Sequence, residues 1–529
     1  MALSTLRAAV CLFAFSVMPT SMLMAQDQDL APKPGAGFTI LHTNDIHGHL
    51  TPWQGWEGDL AGKTVGGMDR LASVVKQVRE KVGANNVLLL DAGDTLGDTM
   101  MADETKGKAI LDVMNAIGYN AMVVGNHEPD FTAETLKQRV AEAKFPVLAA
   151  NIIETNTGKL FTQAFVIQKV NGINVGILGI AYPNTSFTTA KKNVKGLEFR
   201  DAVAVVREYI PKLKNAGADI VIVLSHYGLS SDKKLAQQVP GIDIIVGGHS
   251  HNRMKNALRE GNTLIVQAGA HGSDVGRLDL VLEKHKIVAH RHRLITLDNA
   301  VIPRDAEVGS IIDKATAAQA SKLSEYIGET STPLTRAQTI AGEIPRKRDE
   351  ESPVDSLFAD IIREKTQADV VILPGLGYGV SIHVGKFTAD DLRNLIPHDS
   401  KTITMRLMGS QIKEILEQSL ENTYTENPQE KVGGIVQVSG LTFSYNAEGH
   451  YPQRLLEVRV KGAPLVMNHV YKVATNSLLA EGGHHYKSFL QGKNIEEHET
   501  QYALVKKVMQ QRGKLEAPKL GRIVKTGGT

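Results

Sequence analysis

The chain has 529 residues, of which 42% are hydrophobic and 22% are charged, and its formal net charge is +2. This composition is typical of a globular protein, and the length predicts two or more domains. A net charge this close to zero gives no electrostatic reason to expect nucleic acid or an anionic membrane as the partner.

Residues 1–25 have the pattern of a secretory signal peptide. One basic residue, Arg7, precedes an apolar segment from Ala8 to about Val17, and the small residue Ala25 follows shortly after it. The apolar segment is too short to span a membrane as a helix. We therefore expect cleavage after Ala25 and export across the inner membrane into the periplasm, without stable membrane insertion. A retained signal anchor is the alternative.

From residue 38 to residue 297, short apolar runs alternate with segments of helical pattern. The apolar runs are 38–42, 87–91, 121–125, 146–151, 175–181, 220–226, 242–248 and 263–269. Candidate helices between them are 68–81, 108–117, 133–143 and 202–216. Continuous apolar runs separated by helices predict sheets that are buried on both faces, as in α/β proteins.

The segment 298–326 predicts a helical connector, because ATAAQASKLSEY at 315–326 is rich in alanine. A second unit then covers 327–525. It contains candidate helices at 354–365 and 409–420 and the strand-like sequences VVILPG, VQVSGLTFSY and LLEVRVKG. The chain therefore divides into a signal peptide, a unit at 38–297, a connector and a second unit.

Five apolar runs of the first unit are followed by a residue that could bind a metal ion. In chain order these residues are Asp45 and His47, Asp94, Asn126, His226, and His249 with His251. The carboxyl ends of parallel strands are where sites form in α/β sheets. A single residue of this kind is more often a helix cap or a turn residue, but five coincident strand ends favour one metal site.

The residue types at these positions restrict the metal. The only cysteine, Cys11, lies in the signal segment, so the mature chain has no thiolate ligand and no cysteine nucleophile. Carboxylate, amide and imidazole ligands suit Mn, Zn, Fe or Co. Asp94 could bridge two ions, and two metals about 3.5–4 Å apart can hold a phosphoryl group and activate a water.

The motifs DIHGH, GDT, GNHE, SHYG and GGHSH, in this order, resemble those of the dinuclear metallophosphoesterases. More closely, the chain resembles the bacterial secreted 5′-nucleotidase and UDP-sugar hydrolase family. The resemblance implies a four-layer α/β/β/α metallophosphoesterase domain followed by an α+β C-terminal domain for substrate recognition. It also implies a metal-dependent hydrolase whose partner is a small-molecule phosphate ester, with a nucleotide as the favoured class.

The resemblance also implies roles for individual residues. Two divalent metal ions would be held, one by Asp45, His47, Asp94 and His251, and the other by Asp94, Asn126, His226 and His249. His127 would donate a proton or hydrogen bond to the phosphoryl oxygens, and Asp130 would orient its imidazole. A metal-activated water would be the nucleophile. No role follows for Glu128.

The second unit departs from the family pattern in its substrate loops. PGLGYG at 374–379 has glycine where the family has a phosphate-binding arginine, so Arg348 is the best-aligned phosphate clamp. The family holds the base between two aromatic rings, and these positions align with Ile435 and Tyr486. Tyr378 is a further candidate wall for the substrate, although both tyrosines could equally be packing residues.

Two alternatives to nucleotide hydrolysis stay open. PGLGYGVS and ENPQEKVGG resemble segments of the periplasmic thiosulfohydrolases, which favours hydrolysis of a sulfur-conjugated carrier as the second hypothesis. A non-enzymatic binding protein on the same scaffold is the third. It is disfavoured because binding alone would not require the His127–Asp130 pair.

Overall fold

The computed structural model describes residues 37–56, 58–336, 348–377, 379–427 and 430–526. The predicted signal peptide at 1–25 and Tyr378 lie outside the described residues. Within the part of the chain that is described, no helix combines the length and apolar content that a membrane crossing needs.

The first unit contains sixteen strands and eight α-helices among its described residues. The strands are β1 (Gly37–Thr43), β2 (Pro52–Gln54), β3 (Thr64–Gly66), β4 (Val87–Asp91), β5 (Ala121–Val123), β6 (Val147–Leu148), β7 (Ile152–Glu154), β8 (Phe165–Val170), β9 (Ile173–Ile180), β10 (Leu197–Phe199), β11 (Ile220–Ser225), β12 (Ile244–Gly247), β13 (Leu258–Glu260), β14 (Thr263–Val266), β15 (Asp274–Glu283) and β16 (Lys286–Thr296). The helices are α1 (Met68–Val82), α2 (Met100–Thr105), α3 (Lys108–Ile117), α4 (Ala133–Glu142), α5 (Thr185–Thr188), α6 (Ala202–Asn215), α7 (Leu229–Gln238) and α8 (Ala306–Leu323).

Two six-stranded sheets form the centre of the first unit, in the orders β16-β15-β1-β4-β5-β6 and β13-β14-β12-β11-β9-β8. Apolar side chains of both sheets, such as Ile40, Leu88 and Ile222, share one buried cluster between them. Helices α1, α3 and α8 cover the outer face of the first sheet, and α6 and α7 cover the second. The four-layer α/β/β/α prediction is confirmed.

The strand directions bring the predicted ligands to one end of this sandwich. Strands β1, β4, β5 and β6 run parallel, as do β9, β11, β12 and β14. Because parallel strands end at the same edge of a sheet, the loops after β1, β4 and β5 meet those after β9, β11 and β12.

The second unit has an α+β architecture, as predicted. Its strands are β17 (Tyr326–Thr330), β18 (Val370–Gly375), β19 (Gly385–Thr388), β20 (Lys401–Met408), β21 (Gly434–Ser439), β22 (Leu441–Asn446), β23 (Leu455–Val460), β24 (Ala463–Pro464), β25 (Val470–Asn476), β26 (Lys493–Thr500), β27 (Lys514–Leu515) and β28 (Ile523–Thr526). Its helices are α9 (Pro353–Thr366), α10 (Ala389–Leu395), α11 (Gly409–Tyr424), α12 (Ser477–Ala480) and α13 (Gln501–Arg512).

A five-stranded sheet, β21-β18-β25-β20-β26, is the centre of the second unit. Helices α9, α10 and α13 pack on one face, and α11 with the four-stranded sheet β24-β23-β22-β28 packs on the other. The predicted single run VQVSGLTFSY divides between these two sheets at Gly440. That residue has a φ of +73°, and a Cβ there would lie 2.1 Å from the Asp369 carbonyl oxygen, so only glycine allows the turn.

The predicted connector is a helix attached to the first unit. Helix α8 begins at Ala306, earlier than the alanine-rich pattern indicates, because the Asp305 side chain accepts hydrogen bonds from the backbone N–H groups of Glu307 and Val308. Buried Val308 and Ile312 place the helix in the same apolar cluster as α1 and α3.

Candidate metal centre

The seven predicted ligands all lie in loops at the carboxyl edge of the two central sheets. Asp45 and His47 follow β1, Asp94 follows β4, Asn126 follows β5, His226 follows β11, and His249 and His251 follow β12. Most of them are buried, and Asp45 and His226 have no exposed surface. The sandwich therefore brings together residues that are separated by more than two hundred positions in the sequence, such as Asp45 and His251.

The backbone at this edge is in an unusual conformation. Positive φ angles of 49° to 71° occur at Asp45, His47, Asp94, His249 and His251. A residue with a side chain rarely adopts the left-handed region, and each such residue costs about 1–3 kcal/mol unless its surroundings hold it there. Concentration of this strain at five of the seven predicted ligands indicates that the loops are shaped for a site.

One group of ligand atoms comes from Asp45, His47 and His251, within 4.8 Å of one another. The Nε2 atoms of the two histidines are 3.1 Å apart, and His251 Nε2 lies 3.2 Å from Asp45 Oδ1. His47 Nδ1 lies 2.5 Å from Asp98 Oδ2. If Nδ1 donates to this carboxylate, the lone pair of His47 is on Nε2, facing the centre of the group.

A second group comes from Asp94, His226 and His249, also within 4.8 Å. His226 Nδ1 donates to the Ala92 carbonyl oxygen at 2.6 Å, which directs Nε2 to a point 2.9 Å from Asp94 Oδ2. Among the described residues, the buried amide oxygen of Asn126, Oδ1, has no hydrogen-bond partner. An unpartnered buried acceptor close to a buried carboxylate fits a cation, since such an atom is costly to bury alone.

Electrostatics in the second group also fit a cation site. Burial lowers the pKa of His226, but the carboxylates of Asp94 and Asp45 and the hydrogen bond to the Ala92 carbonyl oxygen together raise it to about 9. In contrast, burial together with the neighbouring His226 lowers the pKa of His249 well below its ordinary value. The carboxylates thus favour positive charge in the second ligand group. In the metal-free protein, a proton on His226 provides that charge.

Glu128, which had no role in the sequence interpretation, connects two of the ligand loops. Its Oε2 accepts the backbone N–H groups of Gly125 at 2.6 Å and Asp94 at 3.0 Å. Its Oε1 accepts those of Thr95 at 2.7 Å and Leu96 at 3.2 Å. These four bonds fix the loop that carries Asp94 against the loop that carries Asn126 and His127.

The predicted catalytic pair, His127 and Asp130, is in direct contact. His127 Nδ1 donates to Asp130 Oδ2 at 2.8 Å, and Asp130 Oδ1 accepts the Thr189 hydroxyl at 2.5 Å. The backbone N–H of His127 donates to Asp94 Oδ1 at 2.8 Å. The carboxylate therefore sets the imidazole orientation and leaves Nε2 directed toward the ligand groups, 3.8 Å from Asp94 Oδ2.

Both units line the cleft beside these ligand groups. Residues of the first unit in its wall include Asn126, His127, Tyr182 and His249, and those of the second unit include Arg348, Leu376, His398, Lys431, Leu478 and His484. The Tyr182 ring stacks on His249 with centroids 4.0 Å apart, and its hydroxyl donates to the Lys431 carbonyl oxygen at 3.3 Å. A substrate bound at the metal centre would contact both units.

The predicted substrate contacts are placed in different surroundings. Arg348 lines the cleft, close enough to His249 for its charge to lower the pKa of that residue. Ile435 and Tyr486 are 0% and 1% exposed and belong to the core of the second unit, packed with α11. Neither offers a free surface to a base in this conformation, because the sheet and helix cover it. Tyr378 lies outside the described residues.

Sequence reasoning missed several residues of the cleft wall. Tyr182 was detectable, because it follows β9, whose carboxyl end reaches the same edge as β11. Leu478 lies in the sequence TNSLLAEGG at 475–483, where no local pattern distinguishes its side chain from a packing residue. No local sequence pattern identifies His398 as a cleft residue, because its position beside His127 depends on how the two units pack.

Comparisons with known proteins agree with this architecture. The calcineurin-like phosphoesterase family profile matches residues 38–253, and the 5′-nucleotidase C-terminal domain profile matches residues 326–491. A 5′-nucleotidase of Diplobatis ommata is 28% identical over 489 residues, covering 84% of this chain and 82% of that protein.

Two solved structures extend the comparison to more than nine-tenths of the chain. A 5′-nucleotidase precursor from Thermus thermophilus has a TM-score of 0.83 at 25% identity, covering 92% of this chain and 99% of that one. The sulfate thiohydrolase SoxB of the same organism has a TM-score of 0.84 at 23% identity, covering 94% and 98%, and shows the shared fold.

Proposed function

Because the chain belongs to the family that joins a calcineurin-like phosphoesterase domain to a 5′-nucleotidase C-terminal domain, we propose that it releases phosphate from 5′-nucleotides at two divalent metal ions. The observation that carries this proposal is the convergence of two groups of buried ligand atoms at one edge of the sandwich. The proposed ligands are Asp45, His47, Asp94 and His251 for one ion and Asp94, Asn126, His226 and His249 for the other. When bound, the ions would activate a water and neutralise charge on the phosphoryl group, and Mn, Zn, Fe and Co all suit these donors.

The chain's own contribution to catalysis centres on His127. Burial lowers its pKa, but the carboxylates of Asp98, Asp94 and Asp130 together raise it well above the ordinary value. The imidazole therefore keeps a proton in the metal-free protein and can donate at Nε2 while Nδ1 donates to Asp130. A donor held in this way stabilises negative charge that develops on a phosphoryl oxygen.

Substrate binding would use the second unit. Arg348 supports recognition of the phosphate, because its positive charge lies near His249 at the edge of the ligand groups. Leu376, Leu478 and Tyr182 supply apolar and aromatic surface in the same cleft. Recognition of a nucleoside would therefore depend on these side chains instead of Ile435 and Tyr486.

A second candidate function is hydrolysis of a sulfur-conjugated carrier. The observation that favours it is the position of Ile435 and Tyr486 in the protein core, which leaves the cleft without the predicted sandwich for a base. The apolar side chains of Leu376 and Leu478 in the wall suit a flexible arm as well as a base.

The deciding experiment is phosphate release by the mature chain, from Gln26 onward, with Mn, Zn or Co added. Substrates are AMP, other 5′-nucleotides, UDP-glucose, a 2′,3′-cyclic nucleotide and an aryl phosphate. Asp94→Asn should lower activity by at least roughly 100-fold, because it weakens a shared ligand. Asp313→Asn, at a side chain that is 64% exposed, is the matched control.

Each outcome decides between the candidates. Turnover of a 5′-nucleotide that depends on Asp94 supports the proposal. Turnover of the aryl phosphate alone would contradict the nucleotide assignment and favour the sulfur-conjugated carrier. Absence of turnover with every metal and ester would contradict hydrolysis of phosphate esters.

We also propose that the protein acts outside the cytoplasm. The pattern of residues 1–25 supports export and a periplasmic enzyme, with cleavage after Ala25. N-terminal sequencing of the protein recovered from the periplasmic fraction tests this, and a start at Met1 in the membrane fraction would favour the retained anchor.

A further inference from the structure

His398 is a residue of the second unit that reaches the predicted catalytic pair of the first unit. It lies in the loop between α10 and β20, and its side chain is 22% exposed in the cleft. Its ring stacks on that of His127, with centroids 4.5 Å apart and an angle of 16° between the planes. Parallel stacking at this distance restricts rotation of both rings.

Carboxylates surround this pair of rings. His398 Nδ1 lies 3.5 Å from Asp98 Oδ1 and 3.9 Å from Asp130 Oδ2. Asp98 also contacts His47 Nδ1, and Asp130 also contacts His127 Nδ1. The loop of the second unit thus completes a cluster in which the orientation of His127 is fixed from two sides, by Asp130 at its edge and by His398 on its face.

The loop that carries His398 is attached to the first unit by Arg393 on α10. The Arg393 guanidinium donates to both carboxylate oxygens of Asp103 on α2, at 2.6 and 3.0 Å, and to the Ile396 carbonyl oxygen at 2.5 Å. Arg393 is only 6% exposed, so the donor side of these charge-assisted bonds is buried, whereas the Asp103 side chain is 37% exposed. Helix α2 begins two residues after Asp98, so the same contact places Asp98 beside His398.

We propose that His398 is a positioning residue, which holds the His127 ring in its donating orientation and so makes the catalytic centre dependent on both units. This inference rests on the proposed phosphoester hydrolysis, in which His127 donates to the phosphoryl oxygen. It predicts that the second unit is needed even for an ester too small to contact Arg348 and the leucines of the cleft. The contact acts on the catalytic imidazole and not on the substrate.

The kinetic test compares His398→Ala with His398→Phe, using AMP and an aryl phosphate. We expect His398→Ala to lower kcat roughly 10- to 100-fold for both substrates, because misplacing a catalytic group has effects of this size. KM should stay within about threefold, since Arg348 and the leucines of the cleft wall are unchanged. His398→Phe keeps a ring on the face of His127 and should recover most of kcat. His450→Ala, at an exposed histidine of the same unit, is the matched control.

Either of two kinetic results would overturn the inference. One is wild-type kcat in His398→Ala. The other is a loss in His398→Phe as large as that in His398→Ala, because the ring alone is expected to restore the orientation.

A second measurement does not depend on turnover. With ¹³C-labelled histidine, the His127 Hε1 signal, assigned by its loss in His127→Gln, should shift in His398→Ala because the ring current of His398 is removed. His398→Phe should retain a ring-current shift, and His450→Ala should leave the signal unchanged. An unchanged signal in His398→Ala would show that the rings do not stack, whether or not the protein hydrolyses phosphate esters.

Discussion

The loops that carry the seven proposed ligands form the metal edge of the first unit. They are held in place by different interactions from those that hold the part of the cleft wall supplied by the second unit. At the metal edge, backbone N–H groups, carboxylates and imidazoles fix one another, as in the four bonds to Glu128. Of the predicted substrate contacts, Arg348 lines the cleft, whereas Ile435 and Tyr486 lie in the core of the second unit. The difference supports the proposal that the first unit supplies the groups that act on the phosphoryl group, while the second unit supplies substrate contacts and positions His127 through His398.

Among residues that support the ligands without being ligands themselves, replacement of Glu128 should weaken the metal edge most. In Glu128→Gln, one acceptor oxygen becomes an NH2 donor that faces backbone N–H groups, so two of the four bonds are lost. Loss of groups that orient metal ligands costs up to roughly 100-fold in metal affinity or activity. Calorimetric metal titration and phosphate release measure both quantities.

The control for this change is Glu134→Gln, at an exposed residue of α4. It should behave as the wild type. Metal affinity in Glu128→Gln equal to that of the wild type, with folding verified by circular dichroism, would show that the loops hold the ligands without Glu128.

Replacement of Arg348 should affect the cleft wall and leave the metal edge intact. A hydrogen bond to a charged group contributes about 1.5–3 kcal/mol, and partial exposure of Arg348 places the effect at the lower end. We expect Arg348→Ala to raise KM for AMP roughly 10- to 30-fold while kcat changes little. Arg459→Ala, at an exposed arginine of the same unit, is the control. A fall in kcat with unchanged KM would instead assign Arg348 to the transition state.

The architecture and the location of the site could be predicted from the sequence because each depends on local patterns. A buried parallel strand is a continuous apolar run, and the residues after it lie at a shared edge whichever strands are neighbours. Helix α3 also has the predicted bounds, because its apolar pattern is local in the sequence. Asp45, Asn126 and His226 could be named from single motifs, without knowledge of how the sheets face each other.

The cleft wall could not be predicted in the same way. Ile435 lies in β21, and its burial depends on α11 and the four-stranded sheet, which are packed against it from other parts of the chain. His398 and its contact with His127 exist only through the packing of α10 on α2, which Arg393 and Asp103 hold. Alignment with a motif gives a position in the sequence, but the direction of a side chain comes from these distant contacts.

The smallest effect that separates the two regions is the pH dependence of metal binding. In the second ligand group, His226 has a pKa of about 9 in the metal-free protein, because Asp94, Asp45 and the Ala92 carbonyl oxygen together outweigh the effect of burial. Below that pH a metal ion must displace a proton from His226, whereas His249, with its lowered pKa, has already lost its proton at pH 7. Competition by one proton predicts an affinity that rises roughly eightfold from pH 7.5 to 8.5 and levels off above pH 9.

Calorimetric titrations in buffers of different ionisation enthalpy would measure the released proton directly. The Arg348→Ala variant should give the same pH curve as the wild type, because His226 and Asp94 belong to the first unit and the Arg348 charge affects the already neutral His249 more than it affects His226. A flat curve in the wild type would mean that His226 carries no proton before the metal binds. A curve displaced in Arg348→Ala would mean that the cleft wall also takes part in loading the metals, and that the two regions are not independent.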